Sequence, residues 1–155
     1  MSHSEADTER IAAHFAKTLR GGEVVLLDGD LGAGKTVFVR GLARGLGIHG
    51  RITSPTFVLM RVHEVPKKRA EGRRSKTITS SPSTINSFVH VDAYRVRDAR
   101  DLEAVGLFEW IGRPDAVVAI EWGERVEKAL RRFRPIRIAM RSTTGDDRRV
   151  VIRRP

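Results

Sequence analysis

Neither cysteine nor glutamine occurs anywhere in these 155 residues. Without cysteine there are no disulfides, no thiolate nucleophile and no zinc–thiolate centre. Without glutamine, any nucleotide-hydrolysing site built by this chain has to position its water by other means than a glutamine side chain. No apolar run approaches the roughly 20 residues needed to cross a bilayer. The polar, acidic-leaning stretch Met1 to Arg10 also has no apolar segment of the secretory-signal kind. Cytoplasm is therefore the expected compartment. Positive charge, by contrast, is in excess: 29 lysines and arginines stand against 19 acidic residues, a formal net charge of +10. It is concentrated in Lys67 to Lys76 and from Arg131 to Arg154. Such a surplus fits contact with nucleic acid or another polyanion, and it equally fits a solvated, arginine-rich surface.

The length suits one domain, 1–155, with a single core. Ser4-Glu5-Ala6-Asp7 has the form of a capping box, and Ile11, Phe15 and Leu19 recur every four residues. The spacing predicts an amphipathic helix that runs to Gly21-Gly22. Glu23 to Asp28 reads as a strand whose unbroken apolar run, Val24 to Leu27, is the pattern of burial on both faces of a parallel sheet. A helix is expected from about Lys35, burying Phe38, Leu42 and Leu46 and stopping at Gly47. A loop should follow over 48–55, then a strand over Thr56 to Val62. The polar, basic, Ser/Thr-rich stretch 63–84 reads as a long flexible loop inserted in the domain. Further strands are expected at Ser87 to Asp92 and Ala116 to Ile120. Between them Asp98 is placed to cap a helix carrying Leu102, Val105 and Leu107. A short helix over 123–132 and basic strands at 136–141 and 148–153 complete the chain. This alternation predicts an α/β fold: a P-loop NTPase-like, largely parallel central sheet flanked by helices, with antiparallel C-terminal strands.

The strongest chemical signal is Gly29-Asp30-Leu31-Gly32-Ala33-Gly34-Lys35-Thr36, which fits G-x-x-x-x-G-K-[ST]. Glycines let successive backbone N–H groups turn toward phosphate oxygens, and the helix behind adds its dipole. Lys35 is the point charge for the outer phosphates, and the Thr36 hydroxyl is placed to hold magnesium. Its four fixed positions make a chance match rare, on the order of 1%. Glu121 closes a buried strand where ligands gather in parallel sheets. It reads as a magnesium ligand or water-polarising base. Asp92 closes another strand and is a second candidate. His90 shares its strand face with Asp92 and, taken alone, reads first as a structural histidine. Tyr94 and Arg95 fit either a phosphate or partner contact or a surface turn. Ser54-Pro55-Thr56 fits a switch that senses the terminal phosphate, and it fits a plain turn equally well. Spacing alone puts Trp122 in the core.

Together these segments resemble the TsaE family, formerly YjeE, of small bacterial ATPases required for threonylcarbamoyladenosine modification of tRNA. The resemblance rests on the phosphate loop with Phe38-Val39-Arg40-Gly41-Leu42 behind it, Ser54-Pro55-Thr56-Phe57, His90-Val91-Asp92-Ala93-Tyr94-Arg95 and Ile120-Glu121-Trp122. It covers most of the chain. Val37 and Gly123 depart from residues common in the family. The resemblance implies ATP and Mg2+, with Thr36 and Glu121 as metal ligands and Asp92 close to metal or water. It implies Lys35, Asp92 and Glu121 as the catalytic set and a nucleotide cradle of Leu31, Gly32, Ala33, Gly34, Lys35 and Thr36. Trp122, Glu5 and Gly145 should then lie near the nucleotide, with Ser54 and Thr56 as the switch. The implied partner is a TsaB–TsaD complex, in which TsaD performs the transfer, with tRNA met indirectly or through the basic surface. The competing expectation is a small phosphate-loop kinase acting on a hydroxylated metabolite, with the basic insert as its lid.

Overall fold

The computed structural model describes residues 1–55, 59–67 and 84–155. Helix α1, Glu5–Ala16, begins where Ser4 caps it: the Ser4 hydroxyl accepts the Asp7 N–H. Asp7 accepts from the His3 N–H, one residue before the cap, so the box closes one position early. The helix ends before the expected glycines. Lys17 to Gly22 instead lead into strand β1, Val24–Asp28, with Leu19 still buried. Helix α2, Lys35–Gly45, starts from Gly34 and ends at Gly47, whose φ of 94° only glycine adopts readily.

Strand β2 is Met60–Glu64, displaced from the expected range. Leu59 has φ 61° and cannot join it, while His63 and Glu64, expected in the loop, pair with Phe88 and Ser87. Thr56, Phe57, Val58 and positions 68–83, which hold most of the insert, lie outside the described residues. Strand β3, Ser87–Asp92, matches its expected bounds, and β4 spans Ala116–Glu121. Helix α3, Ala99–Ala104, is capped by the Asp98 carboxylate. Gly106 then breaks the chain, so Leu107 sits in a separate short turn. The helix expected over 123–132 is divided into tight turns around α4, Glu127–Leu130. Strands β5, Ile136–Ser142, and β6, Arg148–Arg153, form an antiparallel hairpin.

The six strands lie in the order β2-β3-β4-β1-β5-β6. The inner four are parallel, and each edge strand is antiparallel to its neighbour. Both faces of β1 are covered, as its unbroken apolar run implies. Val25 and Leu27 face α1 and α2 with Phe88, Val117, Ala119, Ile138 and Met140. Val24 and Leu26 face the other way, with Val89, Val91, Val118 and Ile120 against Leu102, Val126 and Leu130. Strand alternation then puts His90, Asp92 and Glu121 on the α2 face, at the carboxyl end of the sheet. The register brings Asp92 beside Glu121 and Glu121 beside Leu27, two residues before the phosphate loop.

The α1–α2 contact is unusually close. A methyl group on Gly41 would lie 2.4 Å from the Glu9 carbonyl oxygen, and one on Gly45 would lie 2.5 Å from that of Ala13. Glycines four apart make a flat strip against which Ala12 and Ala16 sit. Glu9 reinforces the contact by pairing with Arg40 and Arg44. Among the described residues no helix is long and apolar enough to cross a membrane.

Candidate nucleotide site

A cavity of about 500 Å³ opens at the carboxyl ends of β1, β3 and β4. Leu31, Gly32, Gly34, Lys35 and Thr36 of the phosphate loop line it together with Ser54, Asp92, Glu121 and Trp122. Glu5, Tyr94 and Arg148 rim it. Ala33 lies underneath, fully buried, its N–H bonded to the Asp30 carbonyl. The phosphate loop and both strand-end acids therefore converge, as their separate positions in the sequence predict.

The Thr36 hydroxyl lies 3.0 and 2.9 Å from the two oxygens of Glu121, a residue 85 positions further along the chain. His90 approaches the same carboxylate from the strand beside it, with Nε2 2.8 Å from Glu121 Oε1. An ionised carboxylate only accepts, so His90 Nε2 carries the proton and donates it. His90 is thus buried, as a structural histidine would be, but its partner is the proposed metal ligand. Asp92, 4% exposed, accepts from the Ser54 hydroxyl at 2.5 Å and from the Tyr94 N–H at 3.0 Å. Ser54 thereby stands inside the site. Thr56, its expected companion in the switch, lies outside the described residues.

Lys35 is almost fully buried. Its ammonium donates to the carbonyls of Gly29 and Asp30 at 2.5 and 2.8 Å and lies 3.6 Å from the centre of the Trp122 ring. Desolvation pulls its pKa below the ordinary lysine value, against the opposing field of Glu121, Glu124, Asp30 and Asp92. Trp122 takes φ 62° immediately after β4, which turns its ring out of the sheet and over Lys35, against Tyr94 at 5.0 Å. Core packing, the reading from spacing, describes only its inner edge. Tyr94 lines the cavity, while Arg95 lies exposed in the turn beyond it.

Gly145 does not line the cavity. It occupies the exposed tip of the β5–β6 hairpin with φ 59°. Arg148, three residues on, reaches the cavity instead. A methyl group on Gly34 would lie 3.2 Å from Arg148 Cδ and Nε, so the arginine lies across the loop. Sequence reading missed Arg148 because one arginine among 23 carries no local signal. Its placement depends on a bridge in which Ser2 and Arg148 exchange backbone hydrogen bonds of 2.8 and 2.7 Å, joining the N-terminus to β6. Glu5 stands nearby, paired with Arg40 at 3.0 Å.

The donor set suits magnesium. Among the described residues no three His, Cys, Asp or Glu side chains form a cluster able to enclose a metal. A hydroxyl touching a carboxylate, with a second carboxylate alongside, is the partial set magnesium takes when phosphate and water complete its shell.

The family described as "Threonylcarbamoyl adenosine biosynthesis protein TsaE" matches residues 2–151. The chain is 38% identical to the tRNA threonylcarbamoyladenosine biosynthesis protein TsaE of Streptomyces coelicolor, over 88% of this chain and 80% of that one. It is 36% identical to the protein of the same name from Treponema pallidum, over 98% and 97% of the two chains. The crystal structure of YdiB from Bacillus subtilis superposes with a TM-score of 0.66 at 25% identity, covering 96% of this chain and 79% of that one.

Proposed function

The chain belongs to the TsaE family of tRNA threonylcarbamoyladenosine biosynthesis, and from that premise we propose that it binds ATP with Mg2+, hydrolyses it slowly and spends it on a TsaB–TsaD complex. The observation that carries the nucleotide reading is the contact between Thr36 and Glu121. It joins a phosphate-loop hydroxyl to a strand-end carboxylate across 85 positions of sequence, at the point where a magnesium ion would be shared.

In this reading the backbone N–H groups of Gly32 to Thr36 cradle the phosphates, and Lys35 turns from the loop carbonyls to the outer phosphate oxygens. Thr36 Oγ1 and Glu121 would hold the metal, with Glu121 oriented by His90. Magnesium supplies positive charge that offsets the charge developing on the phosphate oxygens. Asp92 would hold the attacking water and take its proton as the water oxygen bonds to the outer phosphorus and the bond to the leaving diphosphate breaks, while Ser54, donating to Asp92 Oδ2 at 2.5 Å, orients that carboxylate. Trp122 and Tyr94 shield the site from bulk water. Arg148 adds a cation above the loop. With no glutamine in the chain, hydrolysis by the protein alone is slow and partners govern the output.

Reconstitution tests this. The protein is mixed with TsaB, TsaD and tRNA substrate, and ATP hydrolysis and modified tRNA are followed over many turnovers. Stimulation that disappears with Glu121→Ala is expected. Turnover that ignores both the protein and that substitution would sink the reading, as would phosphorylation of a small hydroxylated acceptor by the protein alone.

A further inference from the structure

We propose that the β5–β6 hairpin presents an arginine face that binds the phosphate backbone of tRNA, on the side of the sheet away from α1 and α2. Nine arginines and two aspartates fall between Arg131 and Pro155, so this short region carries +7 of the chain's +10. Pairing then sorts them by face. Ile136, Ile138 and Met140 point toward α1 and α2. Arg137 and Arg141 therefore point the other way, directly opposite Arg153 and Arg149.

The four are not equivalent. Arg137 is held inside the fold by Asp28 at 2.7 Å and Glu127 at 2.5 Å. Arg141, Arg149 and Arg153 are exposed, and none has an acidic partner among the described residues. Like charges directly opposite one another disfavour a strand pair, yet Arg141 faces Arg149. The repulsion is relieved by an anion that both guanidiniums grip. Arg153 lies four residues along β6, about 13 Å away, which extends the cationic strip along the ribbon.

Two features favour RNA over an acidic protein. The residues between the arginines on this face are Ala139 and Val151, too small to provide the aromatic or large aliphatic anchor on which protein interfaces centre. Arginine forks also match phosphate oxygens, and a nucleic-acid backbone offers them in a continuous row. The family's pathway has tRNA as its substrate. The face lies across the sheet from Arg148 and the nucleotide cavity, so its binding does not rest on the nucleotide reading.

The test is fluorescence anisotropy of labelled unmodified tRNA with the full chain, from 50 to 200 mM KCl, with and without ATP, and repeated with Lys35→Ala. The expected result is micromolar, salt-dependent binding that survives Lys35→Ala. R141T/R149T/R153T should weaken it at least ~10-fold and reduce the slope of log K against log salt by about two to three, as expected for three lost phosphate contacts. R141K/R149K/R153K should keep most of the affinity. If the triple threonine variant misfolds, single R149E, checked by thermal melting, provides the same comparison. The proposal is overturned if wild type shows no salt-dependent binding, if it binds polyglutamate as well as tRNA, or if affinity is lost only on neutralising Lys67 to Lys76. It is equally overturned if the variants self-associate with unchanged tRNA affinity, since the arginines would then only guard the edge strand.

Discussion

His90 shows how a single hydrogen bond changes what a residue means. Two positions before Asp92 it is an ordinary buried histidine; 2.8 Å from Glu121 it fixes the orientation of the carboxylate proposed to hold magnesium. His90→Leu keeps most of the volume and removes the donor. It is expected to raise the magnesium concentration needed for nucleotide binding by roughly 10–100-fold while metal-free nucleotide binding stays within about twofold. Magnesium titration of nucleotide-induced tryptophan fluorescence measures this, and His90→Gln, which retains an N–H, should recover part of the loss. Lys35 makes a pH prediction. Burial lowers its pKa in the unliganded protein, and a bound phosphate favours the charged form and raises it again. Affinity for nucleotide should therefore fall as pH rises through the unliganded pKa, which lies below 10.5. Binding should take up protons from that pKa upward and none well below it. Calorimetry in two buffers of different ionisation enthalpy reads the uptake, and Lys35→Met should abolish it.

Among the elements, the α1–α2 pair makes the clearest claim. Alanine normally favours a helix over glycine by about 1 kcal/mol. At Gly41 the added methyl would meet the Glu9 carbonyl oxygen at 2.4 Å and Ala12 Cβ at 2.6 Å, and backbone cannot swing away. The clash wins. Gly41→Ala should destabilise by about 1–3 kcal/mol, a melting-point drop of roughly 2–4 °C per kcal/mol in a domain of this size. A rise would mean that the helices are spaced more loosely. The glycine spacing was visible in the sequence, but the helix facing it was not. The same division holds elsewhere. The strands β1, β3 and β4 were legible because a strand covered on both faces must be apolar throughout. The start of β2 was not, because Leu59 is an ordinary residue in a left-handed conformation that only its tertiary surroundings impose. Nor was the break at Gly106, where a helical apolar pattern continues in sequence after the helix itself has ended.

On the scale of the molecule, binding at the cavity should be visible as stability. A ligand at 100 times its Kd adds about 2.7 kcal/mol, so saturating ATP with magnesium is expected to raise the melting temperature by roughly 5–11 °C. A thermal-shift assay checks this, and Lys35→Ala should remove most of the rise. By itself the sequence determined the strand–loop–helix of the phosphate site and the acids that close β3 and β4. These follow from local rules: glycine supplies the turn, apolar runs the buried strands, and a carboxylate stops each run. The tertiary structure alone decided that Thr36 meets Glu121, that His90 steers it, that Arg148 rather than Gly145 reaches the cavity, and that Arg141 faces Arg149. Each of these depends on which strands become neighbours and in what register. Register is fixed by burying side chains distant in sequence, so no local stretch of residues contains it.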